Sequence, residues 1–258
     1  MAYQGKVALV TGGGSGMGRL AAQQFADTGA QVAIFDVNEA GMQETAAGRE
    51  NIHSYAVDIT DFDAVSSAVA DFEGKHGPLD RVYNCAAIMP FGKLTEQAPA
   101  VTNKMMMINY GGLVCITRAT LPGMVARGQG DFVSFASAAG LIPGLLMGGY
   151  NASKAAVAMY TEVLYHENRE SGVRFACVCP PAVATPLLDQ GKETAWPKLM
   201  EMNEGDEISP PMVLAAVEED LAKGRFWVLV TGQTRFGAWM RRVFPNLVWK
   251  NIHKIEGW

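Results

Sequence analysis

Thr11-Gly12-Gly13-Gly14-Ser15-Gly16-Met17-Gly18 follows the apolar run Val7-Ala8-Leu9-Val10 and precedes a helix-like stretch over residues 20–25. Glycines at these positions let the chain turn tightly and bring its backbone close to a pyrophosphate. The helix start that follows offers unpaired N–H groups and the positive end of its dipole. Gly16-x-Gly18-x-x-Ala21 also satisfies the loose dinucleotide fingerprint, a weak signal by itself. Its place directly after the first strand gives it weight against a glycine-rich turn that binds nothing.

Working outward, strand-like and helix-like runs alternate to the end of the chain. Val32-Ala33-Ile34-Phe35 stops at Asp36, and Tyr55-Ala56-Val57 stops at Asp58. Further strands are expected at 81–84, 131–135, 174–178 and 226–230. Helices are expected at 62–72, 102–127, 150–170 and 211–223. Short apolar strands separated by helices predict an α/β fold: a Rossmann-like, doubly wound parallel sheet of about seven strands with helices on both faces. There is no repeat, low-complexity tract or linker. One dinucleotide-binding and catalytic domain over 1–258 is therefore expected, with 232–258 as its C-terminal amphipathic extension.

The 258 residues carry a net charge of −5 and are 49% hydrophobic and 18% charged. Such a balance fits a soluble enzyme and argues against nucleic acid as a partner. The start, Met1-Ala2-Tyr3-Gln4-Gly5-Lys6, has no secretory pattern, and no apolar run reaches the ~18 residues of a membrane span. An intracellular, cytoplasmic protein is expected. Cys85, Cys115, Cys177 and Cys179 form no Cys-x-x-Cys pair and no zinc-like spacing with the histidines, so free thiols and no metal are expected.

Asp36 ends the second strand. A carboxylate there accepts hydrogen bonds from the ribose hydroxyls of NAD and repels a 2′-phosphate. No Arg or Lys lies between Thr11 and Gly18 or beside Asp36, so the cofactor expected is NAD. Tyr150 and Lys154 are four apart and share a helix face. A phenol with a pKa of ~10 is a poor base at neutral pH. A neighbouring ammonium and an oxidised nicotinamide would stabilise its phenolate. Ser137, at the end of the fifth strand, can hold a substrate oxygen.

These spaced motifs resemble those of the classical short-chain dehydrogenase/reductase family over residues 5–232. Thr11 to Gly18 is similar to its cofactor loop and Tyr150-x-x-x-Lys154 to its catalytic pair. Ser137 matches its serine, Asn109 its helix asparagine, and Asn84-Cys85-Ala86-Ala87 its Asn-Asn-Ala-Gly segment. The resemblance implies that Tyr150 exchanges the hydroxyl proton and Lys154 lowers the tyrosine pKa and binds the nicotinamide ribose. It also implies that Ser137 orients the substrate and Asn109 holds a water that relays protons through Lys154. The implied cofactor set is Gly12, Ser15, Gly16, Met17, Gly18, Asp36, Asp58, Ile59, Asn84, Ala86, Tyr150, Lys154, Pro180, Val183 and Thr185. A homotetramer or homodimer through the helices at 102–127 and 150–170 is implied as well. Two departures stand out. Pro181 replaces the usual glycine after Pro180 and stiffens that loop, and Ala87 adds a methyl group near the cofactor.

In such a fold the substrate sits beyond the carboxyl ends of the strands. The loops expected there, around 88–91, 138–147 and 181–188, contain no charged residue. An apolar secondary alcohol or ketone is expected, of steroid, alicyclic, fatty or aryl type, touching Ser137, Met89, Leu145, Met147, Tyr150 and Pro181. Residues 193–207, with Trp196, Met200 and Met202, are expected to form a lid. Beyond Thr231, residues Phe236, Trp239, Met240, Val243 and Phe244 form an amphipathic stripe, with Arg235, Arg241 and Arg242 off it. Packing on the domain or a partner subunit is favoured for this stripe over contact with a membrane surface. Competing readings of the chain are an NAD-using epimerase or dehydratase, and an NAD-binding sensor or scaffold without turnover.

Overall fold

The computed structural model describes residues 5–258. The expectation of no leader therefore falls partly on residues 1–4, outside the described chain. Seven strands form one sheet: β1 (Val7–Thr11), β2 (Gln31–Asp36), β3 (Ile52–Ala56), β4 (Arg81–Asn84), β5 (Gly130–Phe135), β6 (Val173–Val178) and β7 (Trp227–Val228). Their order is β3-β2-β1-β4-β5-β6-β7, and every pairing is parallel. Parallel neighbours need crossover connections, and helices supply them on both faces. Side chains alternate across the sheet. Leu9, Phe35, Val82 and Phe132 bury on one face. Val10, Val32, Ile34, Tyr83 and Val133 bury on the other.

Chain order reverses where β1 lies between β2 and β4, so the crevice at the carboxyl ends opens there. Helix α1 (Gly16–Asp27) starts at that crevice. Next comes α2 (Glu39–Ala46), which the hydropathy pattern does not reveal. Asn38 caps it by accepting from the Gly41 N–H. Helix α3 (Phe62–His76) is capped by Asp61, which accepts from the N–H groups of Asp63 and Ala64.

The helix expected at 102–127 is not regular. It divides into α4 (Pro99–Met106), a π-helical turn over Met107–Gly111, and α5 (Gly112–Arg127). Asn109 sits within the wide turn. Single π turns inside α-helices occur often at functional sites. Helix α6 (Gly148–Glu167) then crosses beside this region. The structure continues with α7 (Pro186–Lys192), α8 (Lys198–Glu201) and α9 (Pro210–Ala222). The last strand is shorter than expected, and the tail forms α10 (Gly232–Val243) and α11 (Pro245–Glu256).

Candidate active site

The glycine loop wraps the carboxyl end of β1. Gly12 has φ 67°, and a Cβ there would meet the Ala86 backbone at 2.9 Å. A Cβ on Gly18 would overlap the Gly12 carbonyl oxygen. These two glycines are thus required by a left-handed turn and by close helix–loop packing. Thr11 secures the loop: its hydroxyl donates to Asn84 Oδ1 at 3.0 Å and accepts from the Ala86 N–H at 3.1 Å. Ser15 precedes α1 but makes no side-chain capping bond. The first-turn N–H groups of α1 thus keep donors for an anion.

A cavity of about 450 Å³ runs from this loop along the sheet edge. Gly12, Ser15, Gly16, Met17, Gly18, Asp36, Asp58, Ile59 and Ala86 line it, as does Thr185. Asp36 accepts from the Gly14 N–H at 2.8 Å and the Asn38 N–H at 2.9 Å, one to each oxygen. Each oxygen keeps a further lone pair for a ribose hydroxyl. Arg19, the nearest cation in sequence, does not line the cavity. Its guanidinium donates to the Gly14 carbonyl at 2.6 Å and pairs with Glu44 at 2.8 Å. The cavity therefore fits a dinucleotide: an open helix start for the pyrophosphate and a fixed carboxylate for a ribose diol.

A second cavity, about 220 Å³, adjoins the first, sharing Met17, Cys85, Ala87, Thr185 and Leu187. Ser137, Tyr150 and Lys154 lie in its wall, with Pro180, Pro181 and Val183 opposite in the chain. The Ser137 hydroxyl accepts from the Ala139 N–H at 3.1 Å. Lys154 is buried, and its Nζ donates to the Phe135 carbonyl at 2.7 Å. It sits 5.9 Å from the centre of the Tyr150 ring. Burial lowers the Lys154 pKa to about 8, against which the thiols of Cys85, Cys177 and Cys179 act weakly. Burial raises Tyr150 to about 12, and its hydrogen bond with Ser137 works the other way. The expected lowering of the tyrosine by its lysine is not seen in the chain alone: desolvation of the phenolate dominates, and only the Ser137 hydrogen bond opposes it.

Three of the assigned residues, Asn84, Asn109 and Leu145, lie outside both cavity walls. Asn84 lines neither cavity. It holds Thr11 instead, because its side chain is buried behind the loop. Asn109 also lies behind the wall. Its amide accepts from the Ile88 N–H at 2.8 Å and donates to the Ile88 carbonyl at 3.0 Å and to Ser153 Oγ at 2.9 Å. Its side chain is thereby fully engaged in bracing the loop after β4. Leu145 does not line the substrate cavity, whereas Met89 and Met147 do. Leu146, between Leu145 and Met147, is left-handed with φ 64°.

Of the expected lid, Leu199 and Met200 on α8 reach the cavity, while Met202 is exposed. Trp196 does not line it but stacks on Phe91 at 6.0 Å. Sequence reasoning missed Lys104 and Gln190 in the first cavity, while Ile142 to Gly144 in the second belong to the loop expected there. It also missed Ser153, which joins Asn109 to the Tyr150 carbonyl. Its place directly before Lys154 was the available signal.

A sequence model of the short chain dehydrogenase family matches residues 6–196. The chain is 31% identical over 246 residues to a 2-keto-3-deoxy-L-fuconate dehydrogenase of Xanthomonas campestris, covering 92% of this chain and 80% of that protein. It is 28% identical to human epidermal retinol dehydrogenase 2, covering 84% and 72%. A short-chain dehydrogenase/reductase from Burkholderia phymatum, solved in complex with NAD, superposes with a TM-score of 0.85 at 27% identity, covering 96% of each chain.

Proposed function

The chain belongs to the short-chain dehydrogenase family, and from that premise we propose that it transfers hydride between NAD(H) and an apolar secondary alcohol or ketone. The observation that carries the cofactor choice is Asp36. It is held by two backbone N–H groups at the wall of the dinucleotide cavity, and Arg19, bonded to the Gly14 carbonyl and paired with Glu44, does not line that wall. Among the described residues, Lys104 is the one cation that lines it. The NAD bound to the Burkholderia phymatum protein supports the same choice.

Bound there, the nicotinamide supplies the carbon that accepts or gives hydride. Tyr150 takes the hydroxyl proton in oxidation and returns it in reduction. Ser137 holds the substrate oxygen beside the phenol. Lys154 supplies positive charge to the phenolate and keeps donors for the nicotinamide ribose. Asn109 and Ser153 hold the backbone at Ile88 and Tyr150 in place.

The names of the relatives span a keto sugar acid and a retinol. The lining favours the apolar side. Apart from Ser137, Tyr150 and Lys154, the substrate cavity is walled by Met89, Phe135, Ile142, Met147, Leu188 and similar groups. A sugar acid's carboxylate would lose its hydration there without a cationic partner. We also propose association of copies through α4–α5 and α6, which expose Met107, Met159 and Val163. The deciding experiment is a fluorescence titration with NADH and, separately, NADPH. Preferential binding of NADH is expected, and loss of that preference in Asp36→Ala. Preference for NADPH overturns the cofactor reading, and binding of neither favours a scaffold without turnover.

A further inference from the structure

The tail carries a feature that the hydride-transfer chemistry does not use. Phe236, Trp239, Val243 and Phe244 are 62%, 50%, 47% and 47% exposed, so the stripe does not pack on its own sheet. Its rings touch one another: Phe236 and Trp239 lie 5.9 Å apart, as do Trp239 and Phe244. Soluble monomers rarely leave such contiguous apolar surface uncovered. Leu247 on α11 and Trp258 just beyond it are exposed as well.

Charge identifies what suits this surface. Arg235 and Arg242 are seven apart and so flank the stripe on the Trp239 side of α10. Residues 232–258 include Arg235, Arg241, Arg242, Lys250 and Lys254 but a single carboxylate, Glu256, in a chain whose net charge is −5. That carboxylate is buried and bonded to backbone, so no acidic side chain of the tail itself tempers the exposed faces; Glu219 on α9 is the acidic neighbour of Arg235. Aromatics beside arginines, without enough apolar length to cross a bilayer, are the composition of a helix lying in a lipid interface. No described helix is long and apolar enough to span a membrane. A second copy would offer the arginines the acidic stretch of Glu201, Glu204, Asp206 and Glu207, so lipid is favoured on the ground of the aromatic stripe beside the cations, and light scattering separates the two occupants.

Position supplies the second argument. Gly237 on α10 packs against Ile142, a wall residue of the substrate cavity, closely enough that a Cβ would meet Ile142 Cδ1 at 2.7 Å. Helix α11 holds α8, whose Leu199 and Met200 form another wall. Both tail helices therefore border the apolar cavity. We propose that α10 and α11 dock the protein peripherally on a membrane surface bearing anionic phospholipid, bringing the cavity to the lipid interface. The docking stands on the tail; substrate delivery from the bilayer rests on the apolar-substrate reading above.

The full chain should be sedimented with vesicles of phosphatidylcholine alone and with roughly one-third phosphatidylglycerol. Binding to the anionic vesicles only, released by raised salt, is expected. Phe236→Asp with Trp239→Asp should abolish it. Arg235→Glu with Arg242→Glu should weaken it about tenfold or more. Melting temperature and NADH affinity are the controls for folding, since all four side chains are exposed. Failure of the intact chain to bind anionic vesicles at low salt overturns the proposal. So does a fall in molar mass on light scattering for the Phe236→Asp, Trp239→Asp variant without any vesicle binding by the parent, which assigns the stripe to a second copy. Neither readout depends on turnover, so loss of the hydride-transfer reading would leave the docking result interpretable.

Discussion

At Tyr150 and Lys154, burial acts against both charged forms at once. It holds the phenol up to about 12 and the ammonium down to about 8. What opposes burial is the Ser137 hydrogen bond at the phenol and the thiols of Cys85, Cys177 and Cys179 at the ammonium. The sign of the pH dependence follows. Oxidation needs the phenolate, and a raised pKa puts its formation on the alkaline side. The rate of alcohol oxidation is expected to rise from neutral to alkaline pH, while ketone reduction, which needs the phenol, falls over the same range. Tyr150→Phe should lower turnover by roughly 10²–10⁴-fold in both directions. Its NADH affinity should stay near that of the parent, because the glycine loop and Asp36 are untouched. Steady-state rates across pH, with an NADH titration of the variant, check both. A variant with parental turnover would remove Tyr150 from the mechanism.

The legibility of the site differed by residue for a physical reason. The glycine loop, Asp36, Ser137, Tyr150 and Lys154 were readable because each is fixed by spacing within or next to one element. Leu145 lies outside the substrate cavity, beside the left-handed Leu146. Asn84 and Asn109 lie beside the two cavities and not in their walls. Which way a buried amide turns is settled by its hydrogen-bond partners, here Thr11, Ile88 and Ser153.

Among the elements, α8 is held by an unusual support. The buried carboxylate of Glu256, in the last turn of α11, accepts from the Lys198 N–H at 3.0 Å and the Leu199 N–H at 2.9 Å. A four-residue helix has little stability of its own, so this cap and its apolar contacts keep Leu199 and Met200 at the cavity. Losing such a cap costs about 1–2 kcal/mol. Glu256→Ala is expected to raise KM for the substrate several-fold, with little change in kcat or NADH affinity. Glu256→Gln, which keeps an acceptor oxygen, should recover part of the loss. Equal falls in kcat and in NADH binding for both variants would mean that Glu256 supports the fold generally rather than the lid. The π turn at Asn109 shows the limit of periodicity at this scale. One extra residue in a turn does not disturb a hydropathy pattern enough to be seen. Helix α2 was hidden because Glu39, Gln43 and Glu44 leave it almost no apolar face.

Across the whole molecule, the sheet places both cavities at one edge, and the opposite end is closed by charge. Arg81 and Asp131 pair in the interior, and Arg81 also reaches Glu218 on α9. The helices that flank the sheet leave a separate apolar face. Tyr110 and Tyr160 bring the π turn and α6 together at 5.6 Å, and Met107, Met159 and Val163 are exposed. If copies meet there, Met159→Glu with Val163→Glu should lower the molar mass measured by light scattering, with NADH affinity unchanged. An unchanged mass would place the subunit contact elsewhere.

The sequence by itself determined the doubly wound sheet, because strand and helix periods and the glycine loop are local properties of the chain. It also singled out Ser137, Tyr150 and Lys154 as candidate reacting side chains, because their spacing puts them on one helix and one strand end. The tertiary structure alone decided which loop residues wall the second cavity, that Asn84 and Asn109 lie outside both walls, and that the described residues leave the tail's aromatic stripe exposed. Those outcomes depend on how distant segments pack, and no local pattern records a contact between residues as far apart as Gly237 and Ile142.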